Sequence, residues 1–353
     1  MKLLVTGGAG FLGGHLIPTL VAKGHEVFAL TRSSKESPKL SALGATPLVG
    51  DLEASDSMRM PAIDAVVHGA AYFRFAGPRK PYFKTNVDGT KALLRAAQRA
   101  GAKTFVHISA AGVIMDDRGS RICNADESAR TYPQSFSGYV ASKAQAEEAV
   151  LAANKPGFRT VALRPPALWG PGDNFSKQLP RAIASGQFAF IDRGDYPFAT
   201  AHVVNVVEAV QRALENGQGG RAYFIRDQAV KTFREFIGLI ANTQGVSIDG
   251  LRSMPYWLAF TIGRFMETFA ALTFKKGDPP LSRSLVRMIG REFTIDDSAA
   301  RHDLGYVGEM SREAGRQMYL DTIEAAKKKE SATSSSSVRL TAPASFDRNS
   351  AHA

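Results

Sequence analysis

Through the first 170 residues, short apolar runs of strand length alternate with longer stretches whose apolar positions recur at helical spacing. Strands are expected near Lys2–Val5, Glu26–Leu30, Thr46–Val49, Ala65–His68, Thr104–Ile108 and Thr160–Leu163. Helices are expected near Phe11–Lys23, Thr85–Ala100, Tyr139–Asn154 and Asn205–Asn216. Strand and helix in this alternation predict an α/β fold, a six-stranded, doubly wound parallel sheet with helices on both faces.

The pattern loosens after Gly170, where Pro- and Gly-containing loops, a short strand at Ala222–Ile225 and several helical stretches follow. Residues 1–170 are therefore read as a nucleotide-binding domain to which 201–216 returns, and 171–329 as mostly a smaller substrate lobe. The two should meet at the carboxyl ends of the strands. Between Pro255 and Phe274 the chain is unusually apolar, with Arg264 and Glu267 in its middle and Lys275, Lys276, Arg283, Arg287 and Arg291 after it. Its length approaches a membrane span, but charge at the centre of one is costly. Two readings remain: a helix capping the substrate pocket, or a helix lying on a membrane surface with its apolar side among the headgroups. The Ser-rich tail 330–353 lacks apolar periodicity and is expected to be disordered.

Composition narrows function more than fold. A hydrophobic share of 44% and a charged share of 22% are ordinary for a globular protein. The net charge of +11 invites a nucleic-acid partner, but the basic residues are scattered and no helix-turn-helix or aromatic–basic RNA motif accompanies them, so none is expected. A basic surface also suits phosphorylated cofactors or anionic headgroups. The single cysteine, Cys123, leaves no internal disulfide framework and no multi-Cys metal site; it suits a reducing cytoplasm and has no evident activating partner. Seven histidines show no paired-ligand spacing, so no metal is expected, and His68 and His107 at strand ends read as structural. Met1 and Lys2 run straight into Leu3–Thr6 and then glycines, without the apolar core of a signal peptide, and the expected location is the cytoplasm.

Chemistry enters at Gly7, Gly10 and Gly13, spaced as GxxGxxG between the first strand and the first helix. Gly7 permits the tight turn, Gly10 lets the backbone approach a pyrophosphate, and Gly13 allows the helix to pack close on the strand. Phe11 and Leu12 then open a helix whose free N–H groups and positive dipole end face the phosphates. With a strand before it and a helix after it, the turn points to a dinucleotide and to a Rossmann fold. At the end of the second strand, Thr31-Arg32-Ser33 presents an arginine and no acid, which leans toward NADP over NAD.

Tyr139 and Lys143 stand four apart on one face of a later helix. A phenol of pKa about 10 is a poor base at neutral pH, and a neighbouring ammonium stabilises its phenolate. Tyr139 can thus exchange a proton with a substrate oxygen while hydride moves to or from a nicotinamide, and Lys143 can also hold the nicotinamide ribose.

Together these motifs resemble the extended short-chain dehydrogenase/reductase (NAD-dependent epimerase/dehydratase) family, through about the first three hundred residues. The resemblance is carried further by Gly50-Asp51-Leu52, Val67-His68-Gly69-Ala70-Ala71, Asn86-Val87-Asp88-Gly89-Thr90, Leu163-Arg164-Pro165-Pro166-Ala167 and His202-Val203-Val204-Asn205. It implies cofactor contacts from Asp51, Leu52, Ala70, Ala71, Asn86 and Pro166, and a dimer paired through the helix that carries the Tyr–Lys motif. The apolar stretch after Pro255, Arg291-Glu292-Phe293-Thr294 and Ala300–Tyr306 look most like the 3β-hydroxysteroid and sterol-4-carboxylate dehydrogenase branch, which implies a bulky, apolar small-molecule substrate.

One position departs from the family pattern. The resemblance implies a catalytic Ser or Thr after the fifth strand, but in His107-Ile108-Ser109-Ala110 that place falls on Ala110, and Ser109 is the remaining candidate. Phe73, Phe75, Tyr82, Phe175 and Phe190 are candidates to line an apolar pocket, each with core packing as the plainer role. Three functions compete: an NAD(P)-dependent dehydrogenase or reductase of a sterol-like molecule; a nucleotide-sugar epimerase or dehydratase, for which Arg181, Arg193 and Arg221 would serve a diphosphate; and a dinucleotide-binding protein without chemistry, which Ala110 favours.

Overall fold

Leu3 and Val5 face one side of a sheet and Leu4 the other, and the same two-residue alternation runs through the neighbouring strands, so both faces are buried. The computed structural model describes residues 1–273 and 277–338. Seven parallel strands form one sheet in the order Arg221–Phe224, Arg159–Arg164, Thr104–Ile108, Ala65–His68, Lys2–Thr6, Glu26–Thr31, Thr46–Val49. Helices Phe11–Ala22 and Val203–Glu215 cover one face through Leu16, Leu20, Val206 and Val210. Helices Gly89–Arg99 and Gly138–Ala152 cover the other through Leu93, Ala97 and Val150. The strand order reverses at Lys2–Thr6, which pairs with the second strand on one side and the fourth on the other, so a crevice opens beyond its carboxyl end.

All six expected strands form. The seventh is a correction: the short strand expected at Ala222–Ile225 in the smaller lobe is Arg221–Phe224 and extends the main sheet, Arg221 opposite Val161 and Phe224 opposite Arg164. Helix Val203–Glu215 is the crossover that delivers it. A four-residue apolar run carries no sign of which sheet it will join. The helix expected at Thr85–Ala100 is also altered, into a short helix Arg79–Tyr82, a π-helical turn Phe83–Asp88 and the helix Gly89–Arg99. Gly89 lets that last helix approach the third βα loop, because a Cβ there would lie 2.9 Å from Leu52 Cγ.

The smaller lobe packs around Phe190, Phe198, Phe233, Phe236 and Phe293. It is fastened to the sheet by Asp227, whose buried carboxylate accepts from Trp169 Nε1, Thr200 Oγ1, Asn205 Nδ2 and the His202 backbone N–H. Ala300, Leu304 and Tyr306, late in the chain, return to the core of the main sheet. Helix Arg312–Val338 runs into the tail expected to be disordered. Once nucleated, a helix gains one hydrogen bond per added residue, which carries it through serines of middling propensity. Residues 339–353 of that tail lie outside the described residues, as do Phe274, Lys275 and Lys276.

The apolar stretch after Pro255 forms the helix Tyr256–Leu272. Tyr256, Ala259 and Gly263 are buried, Gly263 so tightly that a Cβ would lie 2.9 Å from the Ser282 carbonyl carbon. Its other side is open: Trp257, Phe265, Phe269 and Leu272 are 67%, 71%, 60% and 73% exposed. Glu267, one of the two charges in its middle, pairs with Arg283 at 2.6 Å. Among the described residues no helix is long and apolar enough to cross a membrane.

Candidate active site

The first strand ends at Thr6 and the first helix begins at Phe11, so four residues must reverse the chain. Gly7 does so at φ 76°, where a Cβ would lie 2.8 Å from the Gly69 carbonyl carbon. At Gly13 a Cβ would sit 2.4 Å from Gly8 O, so the helix packs where only glycine fits. Gly10 differs, since a Cβ there meets only Gly7 O, at 3.1 Å. The helix N-terminus carries no side-chain cap, leaving its first N–H groups for a ligand. The turn bounds a cleft of about 430 Å³ that Gly7 and Gly10 line at one end and Arg32, Asp51, Leu52, Ala70 and Ala71 continue. An open glycine cradle at an uncapped helix end fits a dinucleotide pyrophosphate.

Phe11, Leu12 and Gly13 carry the first N–H groups of that helix, and their other contacts, like those of Asn86, are internal to the protein. The Phe11 ring meets His15 edge-on, Leu12 packs against the sheet core, Gly13 rests on Gly8, and Asn86 acts as a strut. Asn86 donates to Tyr72 O and Ser142 Oγ and accepts from the Tyr72 N–H. Thr6, Ser33, Glu53 and Thr85 line the cleft without having been singled out. Each adjoins a motif residue in sequence, which is the signal that would have found them.

His68 and His107 alternate onto the same face as Val66 and Phe105, and so meet the helices on that side. His68 bonds Thr6 Oγ1 at 2.7 Å and Thr90 Oγ1 at 2.8 Å, while His107 Nε2 lies 3.5 Å from Lys143 Nζ. Burial, and then the nearby Lys143 charge, hold both imidazoles neutral, His68 at about 3 and His107 well below its ordinary value. Ser137 caps the Gly138–Ala152 helix and sets Tyr139 and Lys143 in its first turns. Lys143 Nζ donates to Ile108 O at 2.6 Å, and burial lowers its pKa to about 8 against the opposing pull of Glu147, whose carboxylate is forked onto Arg164. Burial raises the Tyr139 phenol to about 12.

Tyr139 and Lys143 line a cavity of about 210 Å³ with Ser109, Ala110 and Pro166, and with apolar Met115, Leu168 and Phe198. The Ser109 hydroxyl is buried there with no hydrogen-bond partner among the described residues. Gly69 and Ala71 line both this cavity and the dinucleotide cleft, so the two spaces meet at the end of the fourth strand.

A larger cavity of about 710 Å³ lies between the loop after the fourth strand and helix Tyr256–Leu272, with Phe75, Tyr82, Phe136, Thr268 and Ala270 in its wall. Its two arginines are neutralised, Arg74 by Asp278 at 3.1 Å and Arg283 by Glu267. Of the other aromatic candidates, Phe73 meets Tyr139 edge-on, Phe175 stacks on Phe236, and Phe190 is core. Cys123 is exposed, its thiol raised by partial desolvation and then by Glu292. Among the described residues no cluster of His, Cys, Asp or Glu is arranged to hold a metal.

The model of the 3-beta hydroxysteroid dehydrogenase/isomerase family matches residues 4–256. The chain is 38% identical over 318 residues to a 4-hydroxy-2-methyl-3-oxo-4-farnesyl-3,4-dihydroquinoline-1-oxide ketoreductase of Stigmatella aurantiaca, covering 89% of this chain and 94% of that one. It is 29% identical to a decarboxylating sterol-4-alpha-carboxylate 3-dehydrogenase of Dictyostelium discoideum, over 89% of this chain and 98% of that one. Among solved structures, a dTDP-glucose 4,6-dehydratase from Streptomyces venezuelae with NAD bound superimposes with a TM-score of 0.71 at 22% identity, covering 92% of this chain and 97% of that one.

Proposed function

This chain belongs to the 3-beta hydroxysteroid dehydrogenase/isomerase family, an extended short-chain oxidoreductase with a nicotinamide dinucleotide cofactor, and from that premise we propose that it interconverts a ketone and a secondary alcohol on a bulky, neutral, apolar molecule of sterol-like or prenylated kind. The observation that carries the reading is the 210 Å³ cavity, where a phenol, an ammonium and an unpartnered hydroxyl share an apolar pocket that opens on the dinucleotide cleft. When bound, the cofactor supplies or accepts the hydride. Tyr139, protonated at neutral pH, gives its phenolic proton to the ketone oxygen as that carbon becomes a carbinol, and takes it back in the reverse direction. Lys143 favours the phenolate left behind. Ser109 offers the hydrogen bond to the substrate oxygen that Ala110 lacks.

The nucleotide-sugar alternative is disfavoured by placement and charge. Of the arginines that would serve a diphosphate, Arg221 pairs with Asp303, Arg181 and Arg193 line none of the three spaces described above, and the two arginines that do line the larger cavity, Arg74 and Arg283, pair with Asp278 and Glu267. Incubating the purified protein and NADPH with a prenylated or steroidal ketone, and separately with NAD and UDP-glucose, tests this. Reduction of the ketone alone is expected; turnover of the sugar alone would overturn the reading.

NADP is the proposed cofactor, because exposed Arg32, at the end of the second strand, lines the cleft and offers a cation to a 2′-phosphate, although Glu36, Asp51 and Glu53 line it as well. Arg32→Asp should weaken NADPH binding by about 10- to 100-fold, the worth of a charge-assisted contact, and leave NADH binding nearly unchanged. Calorimetric titration with each cofactor measures both.

The open side of helix Tyr256–Leu272 supports a second proposal, contact with an anionic membrane surface, given the +11 charge of the chain. Trp169 is buried, so Trp257 should dominate any change in tryptophan emission. Vesicles containing anionic lipid should shift that emission to the blue, and Phe265→Ser should weaken partitioning by about 10-fold or more, given about 1.5–3 kcal/mol for a buried large apolar side chain. An unchanged spectrum at saturating lipid would remove the proposal.

A further inference from the structure

We infer that the apolar body of the substrate lies along helix Arg283–Ile289, passing from the 210 Å³ cavity through a gap gated by Met115 and Met288 into the 710 Å³ cavity. This rests on the reading of the 210 Å³ cavity as the place of reaction. Pockets that enclose a drug-sized ligand hold roughly 300–1,000 Å³. A sterol-like or prenylated ketone therefore needs more room than the cavity at Tyr139 supplies, and the larger cavity has it.

A third space joins the two. A gap of about 10 Å³ shares Met115, Val140 and Met288 with the smaller cavity, and Phe136 and Ser284 with the larger one. Helix Arg283–Ile289 borders all three: Arg283 and Ser284 line the larger cavity, Ser284, Arg287 and Met288 the gap, and Met288 and Ile289 the smaller cavity. Ser284 and Met288 are four residues apart and so share one helix face, about 6 Å along its axis. A substrate with its ketone oxygen at Tyr139 and its body on that face extends from Met288 toward Ser284.

The gap has space for about one water molecule, so side chains must move to admit a substrate. Its polar groups are already committed to one another. Arg287 pairs with Asp116 at 3.0 Å and donates to Asp116 O, while Asp117 accepts from Ser135 Oγ and the Phe136 N–H. An apolar body can pass without stranding any of them. Met115 is buried and Met288 half-buried; both are unbranched, with three rotatable bonds and a polarisable sulfur, and so refit their surroundings more readily than Val140 or Phe136. Met288, the less enclosed of the pair, is the residue that decides which bodies pass.

The test compares dihydrotestosterone with 2-butanone, a ketone small enough for the smaller cavity alone, as a ratio of kcat/KM with NADPH. Calorimetry of dihydrotestosterone with NADP-saturated protein gives a second readout, and NADPH affinity reports that each variant is folded. Met288→Phe, which fills the gap, should lower the ratio and the steroid affinity by about 10-fold or more. Ala270→Phe, at the far side of the larger cavity, should move both in the same direction. Met288→Ala should leave them at or above the wild-type values, since the effect is obstruction. A steroid affinity within about twofold of wild type in Met288→Phe or in Ala270→Phe overturns the inference, and a loss in Met288→Ala overturns the gate by making Met288 a packing contact. Absence of turnover with every ketone would instead sink the proposed reaction, and the steroid affinities would still decide on the passage.

Discussion

Tyr139→Phe is expected to lower ketone reduction by between about 100-fold and 10,000-fold, the span that a positioned general acid contributes, while cofactor affinity stays within about twofold of wild type. The separation of the two effects follows from geometry. The phenol belongs to the 210 Å³ cavity and does not line the glycine cleft. With the phenol raised to about 12, the protonated form dominates at neutral pH, the form a general acid must have. Lys143 carries its charge below about 8 and loses it above, and in the proposed mechanism its support of the phenolate goes with the charge. The rate of reduction should therefore be level through neutral pH and fall as pH rises past about 8. A rate that climbs through that range would remove the ammonium from the mechanism.

Gly10→Asp should abolish tight cofactor binding with the fold unharmed. Gly10 has φ −79°, which any residue adopts, and a Cβ there crowds only Gly7 O. The carboxylate, however, would stand against the pyrophosphate. Like charges about 4 Å apart cost about 1 kcal/mol in water and about 4 kcal/mol at the effective dielectric of a protein surface, or roughly 5- to 1,000-fold in affinity. Calorimetry beside a thermal melt distinguishes this from the superficially similar Gly13→Asp, whose Cβ would collide with Gly8 O and whose melting temperature should fall. Retained binding in Gly10→Asp would mean that the glycine turn is not the cofactor site.

Local chemistry made much of this legible in the sequence. The turn at Gly7, Gly10 and Gly13 is written in adjacent residues, and so is the Tyr139–Lys143 spacing, because both depend on the geometry of a single element. What stayed hidden depends on partners far along the chain. Nothing near Arg221–Phe224 indicates that it will lie against Arg159–Arg164, and nothing near Phe73 indicates that Asp278, over two hundred residues later, will hold its loop. The π-helical turn at Phe83–Asp88 was equally invisible, since its wider hydrogen bonding has no residue signature of its own. Asn86, expected among the cofactor contacts, lies in that turn and hydrogen-bonds Tyr72 and Ser142. Ser109, of doubtful role in the sequence, keeps a buried hydroxyl with no hydrogen-bond partner among the described residues, and its proposed contact with the substrate oxygen rests on that.

The late return of the chain to its own sheet has a consequence for how the protein is made. When Arg164 leaves a ribosome, the edge of the sheet is still bare, and Arg221–Phe224 follows only seconds later at about 5–20 residues per second. Ala300, Leu304 and Tyr306, which complete the same core, come later still. Throughout that interval the nascent chain presents an unpaired strand to its neighbours, the form in which sheets recruit foreign partners. The first half of this polypeptide must therefore wait for its second half, and is most exposed to misassociation during synthesis.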